Sequence, residues 1–315
     1  MADFVFPLTP VLLGLVGLWI GTAIAIRGAL RMRGREASWE VIVGLTVLGL
    51  ATALPEMGIA ALGAGWEADP SAVSGLIVGT AVGSVLARST LVLGSAALMG
   101  ATAPDKPRNG SRPPVVLGAI ALLALLAIDG TLGVVDGVVL VVAWATYNTL
   151  RVRAAYARSK GSEGQYGLLP DAFLVVLGIL IVATTAWFVV PRGLSLAEGW
   201  GTDPLLVGLL VLGVGASLPE LVFALSAATR GHATLSADSV LAAGPVGVLL
   251  PLGLAALIAP LAVATDTLRI DLPGLAVAVL ALWLWGRRRS EVTTGMAAAL
   301  LLYYMAFALL RMWVG

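Results

Sequence analysis

The chain has no cysteine, one histidine and little charge: 12% of its 315 residues are Asp, Glu, Lys or Arg. Without cysteine there is no disulfide, no thiolate nucleophile and no cysteine-ligated metal. No HExxH motif or Ser–His pair is present, so the chain is not expected to be an enzyme. The 19 Lys plus Arg nearly balance the 18 Asp plus Glu, giving a net charge of +1. They gather into no basic face, which excludes nucleic acid as a partner. Segments of alternating hydrophobicity are also missing, which argues against a β-barrel. Met1–Thr9 lacks a basic n-region and a small-residue cleavage site, so no cleaved signal peptide is expected.

What remains is apolar. Hydrophobic residues make up 59% of the chain, in runs that match helical membrane spans of about 20 residues. Breaks at charged residues, Pro and Gly predict ten spans: 8–30, 39–64, 71–100, 113–128, 131–153, 171–190, 204–228, 236–260, 272–286 and 291–313. The fourth and ninth are short and hold the same rank in each half, as in inverted-repeat transporters. Alternate loops then hold fifteen of the 19 Lys plus Arg, clustered at 27–35, 106–112, 151–160, 230 and 287–289. Basic loops stay cytoplasmic, so both termini are expected outside, in the inner or plasma membrane of the cell. The reading is an all-α integral membrane protein with a first five-helix repeat over 1–153, a short basic linker over 154–170, and a second, inverted repeat over 171–315.

The repeat is visible in the letters. Val43–Glu56 reads VGLTVLGLATALPE and Val207–Glu220 reads VGLLVLGVGASLPE, 164 residues on without a gap. Each places a Glu well inside an apolar run, where a charge normally serves an ion or proton path. Pro55 and Pro219 withhold the donors that the carbonyls of Ala51 and Gly215 would meet, which predicts broken helices beside Glu56 and Glu220. Carboxylates and free carbonyls are hard oxygen ligands suited to Na⁺, Ca²⁺ or a proton cycle. Thr52, Ser217 and Ser84 can add hydroxyls. The partners expected are the lipid bilayer and small cations, with no cofactor; the oligomeric state is open. The offset continues into the next span of each half. Gly75, Gly79 and Gly83 correspond to Ser239, Ala243 and Gly247, both small-xxx-small patterns that let backbones approach closely.

Arg88 breaks the symmetry, since its counterpart is Leu252. It lies one helical turn after Ser84, on the same face. Either it snorkels or pairs with a carboxylate to lock the fold, or it is a tethered cation occupying one ion position. Asp129, Asp136, Asp266 and Asp271 fall near span ends and are expected at the interface. His232 sits in a cytoplasmic loop beside Arg230 and is not expected to relay protons. The nine Trp and the tyrosines read as interface anchors or lipid-facing bulk.

On these motifs the chain resembles the sodium/calcium exchanger branch of the cation/calcium antiporter superfamily. That family has two inverted five-helix repeats with a G-[ST]-S-x-P-E motif in the second helix of each. Here the strings are ATALPE, ending at Glu56, and GASLPE, ending at Glu220. A third-helix motif, G-N-x-x-G-S-N-x-x-[ND], is matched by GTAVGSVLAR (Gly79–Arg88) and AGPVGVLLPL (Ala243–Leu252). The stretch Leu268–Leu272 before a short helix and a tyrosine-bearing last helix also fit. The resemblance implies antiport of Ca²⁺ against Na⁺ or H⁺, with ion ligands at Glu56, Thr52, Glu220, Ser217 and Ser84. The Asn/Asp positions of the motif fall instead on Val85, Arg88, Val248 and Leu252. Two carboxylates and one guanidinium leave a formal charge of −1, which suits a monovalent cation or proton better than a dehydrated divalent ion. The competing reading is a non-transporting membrane scaffold or sensor in which Arg88 permanently fills the ion site.

Overall fold

Long apolar runs fold as helices in lipid because a helix satisfies every backbone N–H and C=O within the segment, and the computed structural model places helix over nearly every predicted span. It describes residues 2–31, 48–99, 112–156, 169–229, 233–288 and 293–314. In chain order the helices are α1 (Ala2–Arg31), α2 (Leu48–Thr52), α3 (Leu54–Ala64), α4 (Pro70–Met99), α5 (Arg112–Leu126), α6 (Val134–Tyr156) and α7 (Leu169–Trp200). They continue as α8 (204–216), α9 (Leu218–Thr229), α10 (Ala233–Ile258), α11 (267–288) and α12 (Thr294–Val314). Two-residue strands β1 (Thr131–Leu132) and β2 (Leu261–Ala262) pair antiparallel, Thr131 with Ala262 and Leu132 with Leu261. Among the described residues, six helices are long and apolar enough to cross a membrane: Pro7–Gly28, Pro70–Met99, Ala172–Trp200, Pro204–Val222, Thr267–Trp285 and Thr294–Val314. Leu54–Ala64, Pro113–Leu126 and Gly244–Ile258 are apolar but shorter. The chain is an all-α integral membrane protein.

The ninth predicted span is not short. A π-helical turn over Thr267–Asp271 leads directly into Leu272–Arg288, so the helix starts five residues before 272 and reaches full length. The match of two short segments therefore fails, although α5 is short as expected. α6 runs to Tyr156 and α7 begins at Leu169, at the two ends of the expected 154–170 linker, whose residues 157–168 lie outside the described residues. The first part of the second span and most of the basic loops, with Arg230 and His232, lie outside the described residues.

The centre of the bundle is α4, buried along almost its whole length. Asp69 caps its start, accepting hydrogen bonds from the Ser71 amide at 3.1 Å and the Ser71 hydroxyl. The missing side chains of Gly79 and Gly83 let α8 lie backbone to backbone on α4: a Cβ on Gly79 would fall 2.9 Å from the Leu209 nitrogen, and one on Gly83 2.7 Å from the Leu209 Cα. This is the small-residue packing by which helices associate in lipid, where apolar burial gives no drive. Outside this core, α1 crosses α7, and large apolar side chains such as Leu13, Leu180, Leu302 and Trp313 face outward. A soluble protein would not leave so continuous an apolar exterior.

Candidate functional site

The two Pro-Glu segments break alike. The helix stops at Ala53 in the first and at Ser217 in the second, positions related by the same 164-residue offset. Both residues sit near φ −90° and ψ 0° (−94° and 3°; −87° and 0°), the bridge region used by tight turns. Ala53 donates to the Leu50 carbonyl and Ser217 to the Val214 carbonyl, each at 3.0 Å. Met57 and Leu221 then donate to the carbonyls of Ala53 and Ser217, again at 3.0 Å each. The breaks therefore fall two residues before the prolines. Pro55 and Pro219 occupy the first turn of the helix that follows, where a missing N–H costs little, while still withholding donors from Ala51 and Gly215.

Each glutamate is thus the third residue of a new helix, in the first turn, where the helix dipole favours a carboxylate. Both lie in the interior, Glu56 2% and Glu220 6% exposed. Between them lies Arg88, fully buried, with Nη2 against Glu56 Oε1 and Nε 3.3 Å from Glu220 Oε1. Arg88 opens a π-helical turn, Arg88–Val92, inside α4; such single-turn insertions shift a helix's register and are frequent at functional sites. Arg88 is within ion-pair distance of both carboxylates, and opposite charge holds the trio together. The pairing expected from sequence is present, and it reaches both carboxylates rather than one.

The hydroxyls lie close by but are already in use. Ser217 Oγ donates toward the Gly213 carbonyl at 2.9 Å and the Ser84 carbonyl at 3.1 Å, tying α8 to α4. Ser84 Oγ donates to Ala81 at 3.1 Å. Thr52 is half-buried in α2, one turn ahead of Glu56. Ala51 and Gly215 are buried just before the breaks, Gly215 with its bare Cα against Leu15 of α1. Val85, Val248 and Leu252 are buried and apolar. Gly247 on α10 makes room for the arginine, since a Cβ there would lie 3.0 Å from Arg88 Nη1.

A second buried arginine escaped the sequence reading. Arg311 of α12 is 1% exposed and pairs with Asp271 at 2.8 Å and Asp266 at 3.5 Å. Asp271, expected at an interface, is itself 1% exposed. The π-turn of α11 carries it inward against α12, and nearness to a span end gives no sign of that. Asp266 keeps half its side chain exposed, and Asp129 is exposed. Asp136 is half-buried and accepts from the Gly133 amide at 2.8 Å. Trp187 and Trp313 are 56% and 85% exposed, in line with lipid-facing bulk.

The fold and this buried trio define an integral membrane protein whose acidic site is built from two equivalent helix breaks. The chain belongs to the sodium/calcium exchanger protein family, whose model matches residues 8–153 and 171–313. It is 29% identical over 232 residues to inner membrane protein YrbG of Escherichia coli (strain K12), 70% of either chain. It is 23% identical to sodium/calcium exchanger MaX1 of Methanosarcina acetivorans, across 96% of this chain and 97% of that one. In three dimensions it resembles the H⁺/Ca²⁺ exchanger CAX with a TM-score of 0.76 at 16% identity, covering 96% of this chain and 82% of CAX.

Proposed function

We propose that the protein is a secondary-active cation antiporter of the sodium/calcium exchanger type, exchanging a cation against Na⁺ or H⁺ by alternating access around Glu56 and Glu220. The observation that carries this reading is the convergence of two carboxylates, from breaks 164 residues apart, on one buried point. Carboxylates at membrane depth are costly and mark ion or proton paths. MaX1 is by name a sodium/calcium exchanger and CAX an H⁺/Ca²⁺ exchanger; both carry Ca²⁺, against different ions, which leaves the driving ion to experiment. The chain crosses the membrane ten times as two inverted five-helix repeats, with both termini outside, in accord with the one-sided distribution of basic residues.

One geometric fact favours a second reading. Arg88 touches both carboxylates and is fully buried, so a protein in which it never leaves would be a non-transporting scaffold or sensor. Purified protein in liposomes separates the two. Uptake of labelled Ca²⁺ or Na⁺ driven by an imposed Na⁺ or H⁺ gradient is expected. Absence of uptake under every gradient would leave the scaffold reading.

A further inference from the structure

We infer that Arg88 is a resident cation that holds one of the positive charges the two glutamates demand, so that the site takes a single monovalent cation, Na⁺ or a proton, and does not hold Ca²⁺. The inference deepens the antiporter reading and rests on it for the word substrate, but the charge argument concerns binding and stands on geometry alone.

The position of the guanidinium is built into the fold. The π-turn begins at Arg88, Gly247 leaves the space for Nη1, and Val85, Val248 and Leu252 wall the surroundings with apolar side chains. Among the described residues no other acidic or histidine side chain joins the two glutamates, and there is no cluster of three or more His, Cys, Asp or Glu. Ca²⁺ requires six to eight oxygen ligands at about 2.3–2.6 Å. Here the nearby hydroxyls of Ser84 and Ser217 are spent on backbone carbonyls.

Charge decides the rest. With both carboxylates ionised the trio carries −1. One bound monovalent ion or proton brings it to zero, whereas Ca²⁺ would bring it to +1 in a buried site. Ca²⁺ would feel twice the attraction of the carboxylates as well as twice the repulsion of the guanidinium, but its dehydration cost grows with the square of its charge, about fourfold over Na⁺, so a site already half neutralised favours the monovalent ion. Arg88 meets Oε1 of each glutamate, so Oε2 of each can still accept one more small cation.

The test uses the purified full chain in detergent, with thermal unfolding followed against CaCl₂, NaCl and pH, choline chloride holding ionic strength constant. A ligand that binds only the folded state raises the transition by mass action. The wild type should respond to Na⁺, or to pH in a part of the profile that Glu56→Gln removes, and show no Ca²⁺ effect beyond the choline control. Arg88→Asn should gain Ca²⁺ stabilisation, with affinity rising on the order of a hundredfold once the like charge is gone. Arg88→Lys, which keeps the charge, should stay blind to Ca²⁺; a structural role for the side chain alone would not separate Asn from Lys in this way. Should Arg88→Asn fail to fold, equilibrium binding of labelled Ca²⁺ and Na⁺ to the wild type decides: Na⁺ or proton binding without Ca²⁺ supports the inference. Stoichiometric Ca²⁺ binding by the wild type overturns it, as does a folded Arg88→Asn that ignores Ca²⁺, or a wild type that responds neither to Na⁺ nor to pH in that part of the profile. Wild-type exchange of Ca²⁺ in liposomes would sustain the antiporter reading and sink this one. The absence of any exchange, with Ca²⁺ binding gained in Arg88→Asn, would do the reverse.

Discussion

Replacing Gly83 by Ala tests the contact on which the site is mounted. A Cβ at Gly83 would lie 2.7 Å from the Leu209 Cα and 2.8 Å from its carbonyl carbon, where carbon atoms normally rest at about 3.5–4.0 Å. Both obstacles are backbone, so no side chain can swing aside, and α4 and α8 must separate by about 1 Å. That movement also stretches the 3.1 Å bond from Ser217 to the Ser84 carbonyl. Overpacking of this kind costs about 1–3 kcal/mol, and the rigid partner puts Gly83 at about 2–3 kcal/mol. Better helix propensity returns up to about 1 kcal/mol, leaving a net loss near 1–2 kcal/mol. At about 2–4 °C per kcal/mol, the transition should fall by roughly 2–8 °C. Intrinsic tryptophan fluorescence during heating in detergent provides the assay, with nine tryptophans as reporters. Gly118→Ala is the control: a Cβ there meets nothing within 4 Å, so it should be neutral or slightly stabilising. If Gly83→Ala melts with Gly118→Ala, the backbones of α4 and α8 are not in contact and the assembly of the site described above is wrong.

Three further outcomes follow from the same geometry. Glu56→Gln and Glu220→Gln should each abolish gradient-driven uptake while expressing and folding as the wild type does, because either leaves one carboxylate paired with Arg88; normal uptake by both would move the ion site elsewhere. Arg311→Met should destabilise by about 3–5 kcal/mol by leaving Asp271 buried and unpaired, and adding Asp271→Leu should recover most of the loss; no recovery would mean that Arg311 acts through packing alone. Asp69 is held below the ordinary carboxylate range by the hydroxyl and amide of Ser71, so its contribution to stability is complete above the ordinary Asp pKa and fades as pH falls through the depressed one. Asp69→Ala should therefore lower the unfolding transition near neutral pH and converge with the wild type in strong acid.

The sequence carried the repeat, the breaks and the trio because each has a chemical signature at one-residue resolution. Pro next to Glu in an apolar run is rare enough to mark a helix interruption, and its recurrence at a fixed offset fixes the pairing. Arg88 was visible for the same reason: a guanidinium at membrane depth must find a carboxylate. The position of the break was not visible, since it depends on how Ala53 and Ser217 settle their amides two residues upstream. Nor were the π-turns at Arg88–Val92, Gly208–Leu212 and Thr267–Asp271. These are shifts of backbone register imposed by packing between helices, and no residue type demands them. The burial of Asp271 was not visible either: distance from a span end measures depth along the helix, whereas burial depends on the face the residue presents.

The two buried arginines show why similar ion pairs can do different work. Arg311 takes both its carboxylates from one short stretch, Asp266 and Asp271, and Asp266 keeps half its side chain exposed. Its charge is balanced within one corner of the structure, and moving the halves of the molecule past each other need not disturb it. Arg88 instead takes one carboxylate from α3 and one from α9, equivalent breaks in the two halves, and is itself carried on α4. Any displacement of α3 relative to α9 must stretch one of these two pairs. A stretched pair leaves a carboxylate buried without a counter-charge, a state that costs several kcal/mol unless another cation arrives. The same trio is thus a lock when no cation can replace the guanidinium and an ion-gated joint when one can. What selects between them is the affinity of the released carboxylate for a small cation, compared with its affinity for Arg88.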